Sequence, residues 1–573
     1  MEEDRSRNLL SLLKRRGIIF PAFEVHGGVS GLFDYGPVGG RLLRKVQQAW
    51  VDHFLRLGNI VVIDSPTLTP HSVLEASGHV GAFNDHASEC AACNAVFRSD
   101  HLLETHHSNP DSLAAAELDG LLAEHEVACP SCGEQNWQGA RPMNLMFSTR
   151  IGATGGGRQA YMRPETAQGM FLAFPYLYRH FRSRLPFGAV QVGKGYRNEI
   201  SPRQGMIRQR EFNMAELEYF IDPQEPLNLD LSPWNDRPFN LVPDPQGPAP
   251  DPSQLTIADA VASGVVRDAT VGLFMALTHD FLVAVGCDPK RIRFRQHEGD
   301  EMAHYASDCW DCELHGAYGW IETVGIAHRG CYDLEAHEQA TGSKELRAWR
   351  EFDEPQSVVK DVLVPIGGVI GPAFRDRASQ VNEALAALEH LPESLPFELT
   401  LGSGEVVTIE QNMVEARRIE EVARGEWFLP HVIEPAFGMD RIIWHIVDHA
   451  HEETEKEGEP YVILHLAEGV APYDVSVLPL FEKDGMGEMA RALNQRILGI
   501  RGIQSQYDSS QSIGRRYARA DEIGTPWSVT VDHTSLEDGT VTVRRRDDQQ
   551  QIRVGQDDLC DHLARGSVSS LFS

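Results

Sequence analysis

Residues 197–218 read RNEISPRQGMIRQREFNMAELE, and they narrow the fold more than any other stretch of the chain. Glu216 and Glu218 alternate with Ala215, Leu217 and Tyr219. A period of two puts both carboxylates on one face of a strand and the apolar side chains on the other. Before that strand comes a turn with Pro and Gly, flanked by basic residues. The string describes two antiparallel strands joined by a loop, with a nucleotide held across them. Arg197 can clamp a phosphate with its planar fork. Glu199 can accept from an exocyclic amine, and Phe212 offers a flat face to a base. Isolated Arg/Glu pairs are mostly surface pairs of little consequence; the order of groups here argues for a site.

Other long segments accompany it: GGVSGLFDYGPVG (27–39), SGHVGAF (77–83), YMRPETAQGMF (161–171), RFRQHEGDEMAHYASDCWDCE (293–313), YGWIETVG (318–325), VIEPAFGMDRI (432–442) and YDSSQSIGRRYARADEIG (507–524). Together they resemble class II aminoacyl-tRNA synthetases, and among these the glycyl-tRNA synthetases of the dimeric archaeal and eukaryotic type. Residues 197–218 match motif 2 and FGMDR (437–441) matches motif 3. The resemblance covers nearly the whole chain. It implies an α/β (α+β) fold class: an antiparallel-sheet catalytic core, a zinc-ribbon insertion and a C-terminal α/β anticodon-binding domain.

The net charge of −31 argues against a general nucleic-acid binder and leaves phosphate contacts to local basic patches. No apolar run is long enough for a transmembrane helix. The N-terminus MEEDRSRNLLSLLKRRG lacks an apolar signal core. It reads as an amphipathic helix with Leu9, Leu10, Leu12 and Leu13 on one side. A cytoplasmic protein without membrane contact is expected, and with it an absence of disulfides among the nine cysteines. Cys90, Cys93, Cys129 and Cys132 form two CxxC knuckles, the donor set of a closed, structural Zn²⁺ site. Gly133 follows the last ligand, where a tight turn can aim N–H groups at sulfur. Four buried or reactive thiols are the alternative. Cys309 and Cys312 make another CxxC that lacks a partner pair and reads as structural.

The expected organisation is a first part of the catalytic core at 1–88, a zinc ribbon at 89–144, the core resumed at 145–455 and an anticodon-binding domain at 460–573. The first part contains a helix over 41–57 and an apolar run Ile60–Ile63 before Pro66, a degenerate motif 1. Two insertions interrupt the core, at about 225–300 and 350–425. Within the first, residues 230–253 carry seven prolines and read as loop. Gly152–Gly157 lacks the Gly-Lys-Ser/Thr ending of a phosphate loop and also reads as loop. The run EETEKEGEP (452–460) reads as a charged linker. Beyond it, apolar strands alternate with helices.

By resemblance, Arg197 and Arg441 are the catalytic cations. Arg197 contacts the α-phosphate of ATP, and the adenine lies between Phe212 and Arg441. Asn198 and Glu199 hold the adenine side, and Arg208, with Gln209, belongs to the loop over the outer phosphates. Glu322 and Thr323 approach the ribose, the phosphates and the Mg²⁺ that accompanies ATP; for Glu322 a buried, paired carboxylate is the alternative. Glu165, Glu216 and Glu434 are candidates for the glycine ammonium, Arg329 for its carboxylate, and Arg98 for a further contact. Where the family has Glu-Pro-Ser, this chain has Glu434-Pro435-Ala436. The missing hydroxyl removes a hydrogen bond worth about 1 kcal/mol and leaves more room beside the glycine Cα.

The substrate's own carboxylate is the nucleophile, so His304, His315, His328 and His337 read as hydrogen-bonding pocket residues rather than general bases. Arg515, Arg516, Arg519 and Arg544–Arg546 either meet tRNA or pair with Asp521, Glu522 and Asp547. The resemblance thus implies a homodimeric glycine–tRNA ligase with ATP, glycine and tRNA(Gly) as partners. Another class II enzyme of the same subgroup would need a different pocket from that of Glu165, Glu216 and Glu434. A non-catalytic nucleic-acid-binding relative need not keep Arg197, Glu199, Arg208 and Arg441.

Overall fold

The alternation at 211–219 becomes one half of a long antiparallel pair in the computed structural model. The model describes residues 2–107, 110, 113–153, 156–202, 205–225, 227, 229–243, 252–297, 308–388, 391–392, 394–456 and 458–572. The strands β1 (Ile60–Val62), β2 (Phe187–Tyr196), β3 (Glu211–Ile221), β4 (Phe239–Val242), β5 (Ser253–Leu255), β6 (Ile292–Gln296), β7 (Asp308–Gly316), β8 (Gly319–Gly330) and β9 (His431–Gly438) form one sheet. Their order is β5-β4-β6-β7-β8-β9-β3-β2-β1. β1–β2 and β4–β6 are parallel and the other pairs antiparallel. β2 and β3 pair from Phe187↔Phe220 to Tyr196↔Glu211.

One face of this sheet is apolar. Ala215, Leu217 and Tyr219 of β3 join Val324, Ile326, Ile433 and Phe437 in the main core. The helices α2 (Gly39–Leu55), α3 (Ala269–Ala284) and α4 (Met439–Ala450) supply Trp50, Phe54, Phe274, Phe281 and Trp444 to it. The opposite face carries Glu216 and Glu218 and is covered by a shorter layer. There Phe174 packs on Phe220 and Phe187, at 5.1 and 5.8 Å between ring centres. The three carboxylates Glu216, Glu218 and Glu434 are therefore enclosed.

Several expectations change. In α1 (Glu2–Arg15), Leu9, Leu12 and Leu13 are buried, but Leu10 is 37% exposed. A turn of about 100° per residue carries it off the stripe. Residues 230–253 are not loop throughout: Phe239–Val242 is β4, and Phe239 and Leu241 are buried in the core. Residues 244–251 lie outside the described residues. The supposed linker at 452–460 is most of a hairpin, His451–Lys456 paired with Glu459–Leu464 from His451↔Leu464 to Lys456↔Glu459. Its acidic arm is solvated, and it folds because the apolar YVIL segment supplies a partner strand. The loop reading of Gly152–Gly157 is unchanged: its described residues lie between the paired strands Ser148–Ile151 and Arg158–Met162, and residues 154–155 lie outside the described residues.

Arg347–Leu429 packs as a unit of its own. The strands Ala348–Pro365 and Val414–Phe428 pair along their length, and Ile370, Val381, Leu385 and Ile409 form its core. Residues 475–568 also have their own core, around Val475, Val477, Leu493, Val529, Val541 and Leu559. Five strands there run in the order Ser505–Tyr507, Val475–Pro479, Trp527–Val531, Thr540–Arg545, Gln551–Gly555. Lys45–Asp474 (2.7 Å) and Arg15–Glu522 (3.1 Å) tie this part to the N-terminal helices. Arg516, Arg544 and Arg546 are buried. Arg516 donates to the carbonyls of Ser509, Ser510 and Gln511, Arg544 forks onto Asp521 at 2.9 Å twice, and Arg546 donates to Gly524 O. These three hold the domain together rather than face tRNA. Arg519 is paired with Asp508, and Arg515 stays exposed.

Candidate active site

β2 and β3 deliver the nucleotide-directed residues to one cleft of about 750 Å³, its open mouth included. Its walls bring together Arg197, Glu199, Arg208, Gln209, Phe212, Glu322, Thr323 and Arg441, and it extends to Glu216 and Ala436. Asn198 is the member of the nucleotide set that does not line it; its N–H donates to Leu145 O at 2.7 Å. The guanidinium of Arg197 sits against Phe83 and Phe212, 5.3 and 5.4 Å from the ring centres. Its Nε is buried with no hydrogen-bond partner among the described residues, and the same holds for Glu199 Oε2. A buried donor and a buried acceptor without partners are costly unless something else satisfies them. Phe212 can lie along β2 because Gly195 stands opposite it; a Cβ there would come within 2.6 Å of the ring.

The start of α4 is pinned to β3 by Asp440. Its carboxylate accepts from Asn213 N at 2.6 Å and Asn213 Nδ2 at 2.9 Å, and from the Tyr35 hydroxyl. This fixes Arg441, which donates to Ile207 O (3.1 Å) and Glu322 O (2.7 Å) and lies 3.3 Å from Glu322 Oε2. The Glu322 side chain is 51% exposed, so it is paired but reachable from solvent. Thr323 is buried and its hydroxyl is committed to Cys312 O at 3.0 Å. Arg208 donates to the His101 ring at 2.7 Å.

The acidic half of the site is a patch on the sheet surface, written in two rows. Asp311 pairs with Gly325, Gly325 with Ala436 and Ala436 with Glu216. Two residues along each strand, Cys309 pairs with Ala327 and Ala327 with Glu434. The register Glu216↔Ala436 and Tyr219↔Ile433 sets Glu218 across from Glu434. Directly paired residues share a face of a sheet, so residues far apart in sequence become neighbours. Carboxylate oxygens of Glu216, Glu218 and Glu434 lie within 4.8 Å of one another.

Glu216 accepts from Thr166 N and Thr166 Oγ1, at 2.8 and 2.5 Å. Glu434 pairs with Arg329, which also forks onto Asp333 at 2.8 and 3.1 Å. Glu165 stands at the neighbouring wall, 3.4 Å from His79 and accepting from Gln168 at 3.0 Å. Burial, then Glu434 and Glu165, push Glu216 up to about 8. Burial also raises Glu434 and, well above the usual range, Glu218. Glu165 is held below its ordinary value despite burial, by His79 and Arg329. The patch has more acid than its own cations neutralise, which is the field an ammonium group needs.

Arg98 stands apart from these acids. It pairs with Asp85 (2.8 Å) and Asp100 (2.6 Å) on a wall shared with His101 and Arg208. His328 lies 3.1 Å from Asp268 and from His431, His337 bonds Gln168 at 2.9 Å, and His315 packs edge-on to Trp320. His304 lies outside the described residues. Sequence reading placed Glu218 on the acidic face without assigning it to the site, yet it is fully buried with both oxygens unpaired among the described residues. Thr166, Asp333 and Asp440 have no local signature, because each acts through a partner from a distant segment.

Cys90, Cys93, Cys129 and Cys132 converge, with their sulfurs mutually within 4.8 Å. Cys90–Cys132 and Cys93–Cys129 are 3.6 and 3.7 Å apart. A tetrahedral ion with bonds of ~2.3 Å to sulfur has ligand edges of about 3.8 Å, so the quartet fits zinc. Gly133, at φ +81°, closes the knuckle with its N–H on Cys129 O at 2.8 Å, and Ser131 N donates to the Cys129 sulfur at 3.4 Å.

Comparison with known proteins agrees with this layout. The anticodon binding domain family model matches residues 474–565. The glycine–tRNA ligase of Methanothrix thermoacetophila is 42% identical over 560 residues, 97% of this chain and 96% of that protein. The enzyme of the same name from Methanocaldococcus jannaschii is 41% identical, over 98% and 99%. That of Archaeoglobus fulgidus is 41% identical, over 95% and 94%. Each of these matches covers nearly the whole of both chains at about 40% identity, and the chain belongs to the glycine–tRNA ligase family.

Proposed function

We propose that the protein activates glycine with ATP in the cleft between β2, β3 and α4 and transfers it to the 3′ end of tRNA(Gly). One observation supports this: Arg197, whose Nε has no partner among the described residues, and Glu216, the front of the acidic patch, line a single cleft. Glycine's ammonium sits among Glu216, Glu434 and Glu165, with Glu218 beneath them. Its carboxylate then points along the sheet toward Arg197. A carboxylate oxygen attacks the α-phosphorus, the bond to the bridging oxygen breaks, and pyrophosphate leaves. Arg197 stabilises the charge gathering on the phosphoryl oxygens. Adenine occupies the space between Phe212 and Arg441, with Glu199 Oε2 accepting from its exocyclic amine. Glu322, half-exposed at the rim, is the oxygen donor suited to the Mg²⁺ that travels with ATP and offsets phosphate charge. The terminal tRNA hydroxyl next attacks the glycyl carbonyl and releases AMP. The reading also implies a homodimer in the cytoplasm, with residues 474–565 engaging the tRNA.

Selectivity bears on the row that holds Glu216. Ala436, paired with Glu216, and Gly325, paired with Ala436, carry almost no side chain, so this row leaves room beside the glycine Cα and rejects a larger amino acid only weakly. Ala436→Ser adds a hydroxyl beside Glu216. It is expected to lower alanine-dependent ATP–pyrophosphate exchange by roughly five- to tenfold relative to glycine, a difference of about 1 kcal/mol. Exchange assays with glycine, alanine and serine test both points: no glycine-dependent exchange would overturn the proposed activity.

The quartet is read as a structural zinc site. Replacing Cys129 with serine should remove the bound zinc and open residues 84–144 to protease, because structural zinc supplies roughly 10–16 kcal/mol in small zinc modules. Elemental analysis with limited proteolysis checks this; full zinc retention in the variant would contradict it.

A further inference from the structure

His297, Cys309 and Asp311 meet on the same sheet, and the activity proposed above uses none of them. His297 directly follows β6, and its N–H donates to Cys309 O at 3.0 Å. Cys309 and Asp311 are two apart on β7, so they share a face. One ligand-type atom from each of the three lies within 4.8 Å of the other two. His297 Nε2 is 2.9 Å from Asp311 Oδ1. Even so, both ring nitrogens are buried without an aligned hydrogen bond to any described residue. Donor atoms that converge on one point, close but not aimed along one another's N–H bonds, are arranged as ligands around an ion. Neighbouring ligands at ~2.0–2.3 Å from a metal stand about 3–4 Å apart.

The donor set selects the ion. An imidazole, a thiolate and a carboxylate suit Zn²⁺ and its borderline neighbours, whereas Mg²⁺ takes oxygen ligands and keeps its waters. Such a site would therefore be distinct from the ion that accompanies ATP. We propose that His297, Cys309 and Asp311 form a three-ligand site for a zinc-class dication. It differs from the cysteine quartet in having one coordination position left for water or a ligand. Its place in the sheet is fixed by register. Cys309 is two strands from Glu434, and Asp311 is two strands from Ala436, a separation of roughly 10 Å at the usual strand spacing.

The competing occupant is a proton. Although burial disfavours its charge, Asp311 and Cys309 push His297 up to about 11, so the same surroundings could hold an imidazolium ion pair. Metal analysis separates the two. Full-length protein purified without chelator and dialysed is expected to hold one zinc equivalent beyond that of the quartet. Cys309→Ala and His297→Asn should each lose one equivalent with unchanged circular dichroism, and Cys132→Ser should lose the other. With Co²⁺ as the probe, the visible bands should weaken in Cys309→Ala and should not respond to excess Mg²⁺. If the wild type binds only the quartet's equivalent even when titrated with Zn²⁺, or if both variants at 297 and 309 keep all their metal, the site is an ion pair and the proposal fails.

Discussion

Replacing Arg197 with alanine is expected to lower glycine-dependent ATP–pyrophosphate exchange by roughly 10²–10³-fold while leaving the melting temperature nearly unchanged. The two halves of this expectation rest on the same geometry. The Arg197 guanidinium touches the Phe83 and Phe212 rings, and its Nε has no partner among the described residues. Truncation thus forfeits contacts with two rings, worth about 1 kcal/mol each at most in a half-open site. Among the described residues, no carboxylate loses a hydrogen bond to the Arg197 Nε. For the reaction the loss is larger, since a single preorganised donor at a developing oxyanion is worth about 2.7–4 kcal/mol. Arg441→Ala is a useful contrast, because it also frees Glu322 and the Ile207 carbonyl and should move both stability and rate. Exchange rates and thermal melts of the two variants provide the check. An Arg197→Ala enzyme within tenfold of wild type would remove Arg197 from the chemistry.

Glu216→Gln is expected to cost roughly 10²–10³-fold in kcat/KM for glycine, the scale of 3–5 kcal/mol lost when one partner of a buried ion pair is removed. It should also flatten a pH dependence. Glu216 is pushed up to about 8 from an ordinary value of 4.5 by burial, Glu434 and Glu165, so below that pH the ligand-free site holds a proton there. The ammonium favours the ionised form. Glycine affinity should therefore rise with pH up to about 8, by at most tenfold per unit, and then level off. Binding below that pH should release a proton, seen as a buffer-dependent heat of binding.

The stability sign is opposite. Between 4.5 and about 8 the folded chain holds a proton at Glu216 that the unfolded chain has lost. The ligand-free protein therefore loses stability from this group as pH rises through that window. The Gln variant lacks that slope. Identical pH profiles for the two proteins would show that Glu216 does not titrate there.

What the sequence revealed divides along a physical line. The β2–β3 pair was legible because alternation of Glu216 and Glu218 with Leu217 and Tyr219 is a local pattern. The cysteine quartet was legible because CxxC spacing is itself the ligand geometry. The acidic run at 452–460 misled, because its charge is local but its partner strand is supplied by Tyr461–Leu464. For Arg516, Arg544 and Arg546 the sequence left tRNA contact and local pairing both open, and the structure takes the second: Arg544 meets Asp521 and Arg546 meets Asp547, while the carbonyls that absorb Arg516 carry no sign in the sequence. Glu218 was placed on the correct face, but the depth that leaves it unpaired comes from the Phe174 layer, which no period reports.

The two rows across the sheet also bear on how the protein can fail. A slip of one residue in β3 or β9 would turn Glu216, Glu218 or Glu434 into the layer of Trp50, Phe54 and Phe437, and bring Leu217 or Ile433 to the cleft. Burying an unpaired carboxylate among aromatic rings costs far more than a misplaced hydrogen-bond ladder gains. The acids that crowd the pocket thus also act as a ruler during folding. They penalise each wrong pairing of the central strands, so a chain that has closed this sheet has closed it in the register that builds the pocket. Residues can be added at the ends of these strands, as Arg347–Leu429 shows between β8 and β9, but a single residue inserted within β3 or β9 would cost the fold and the site together.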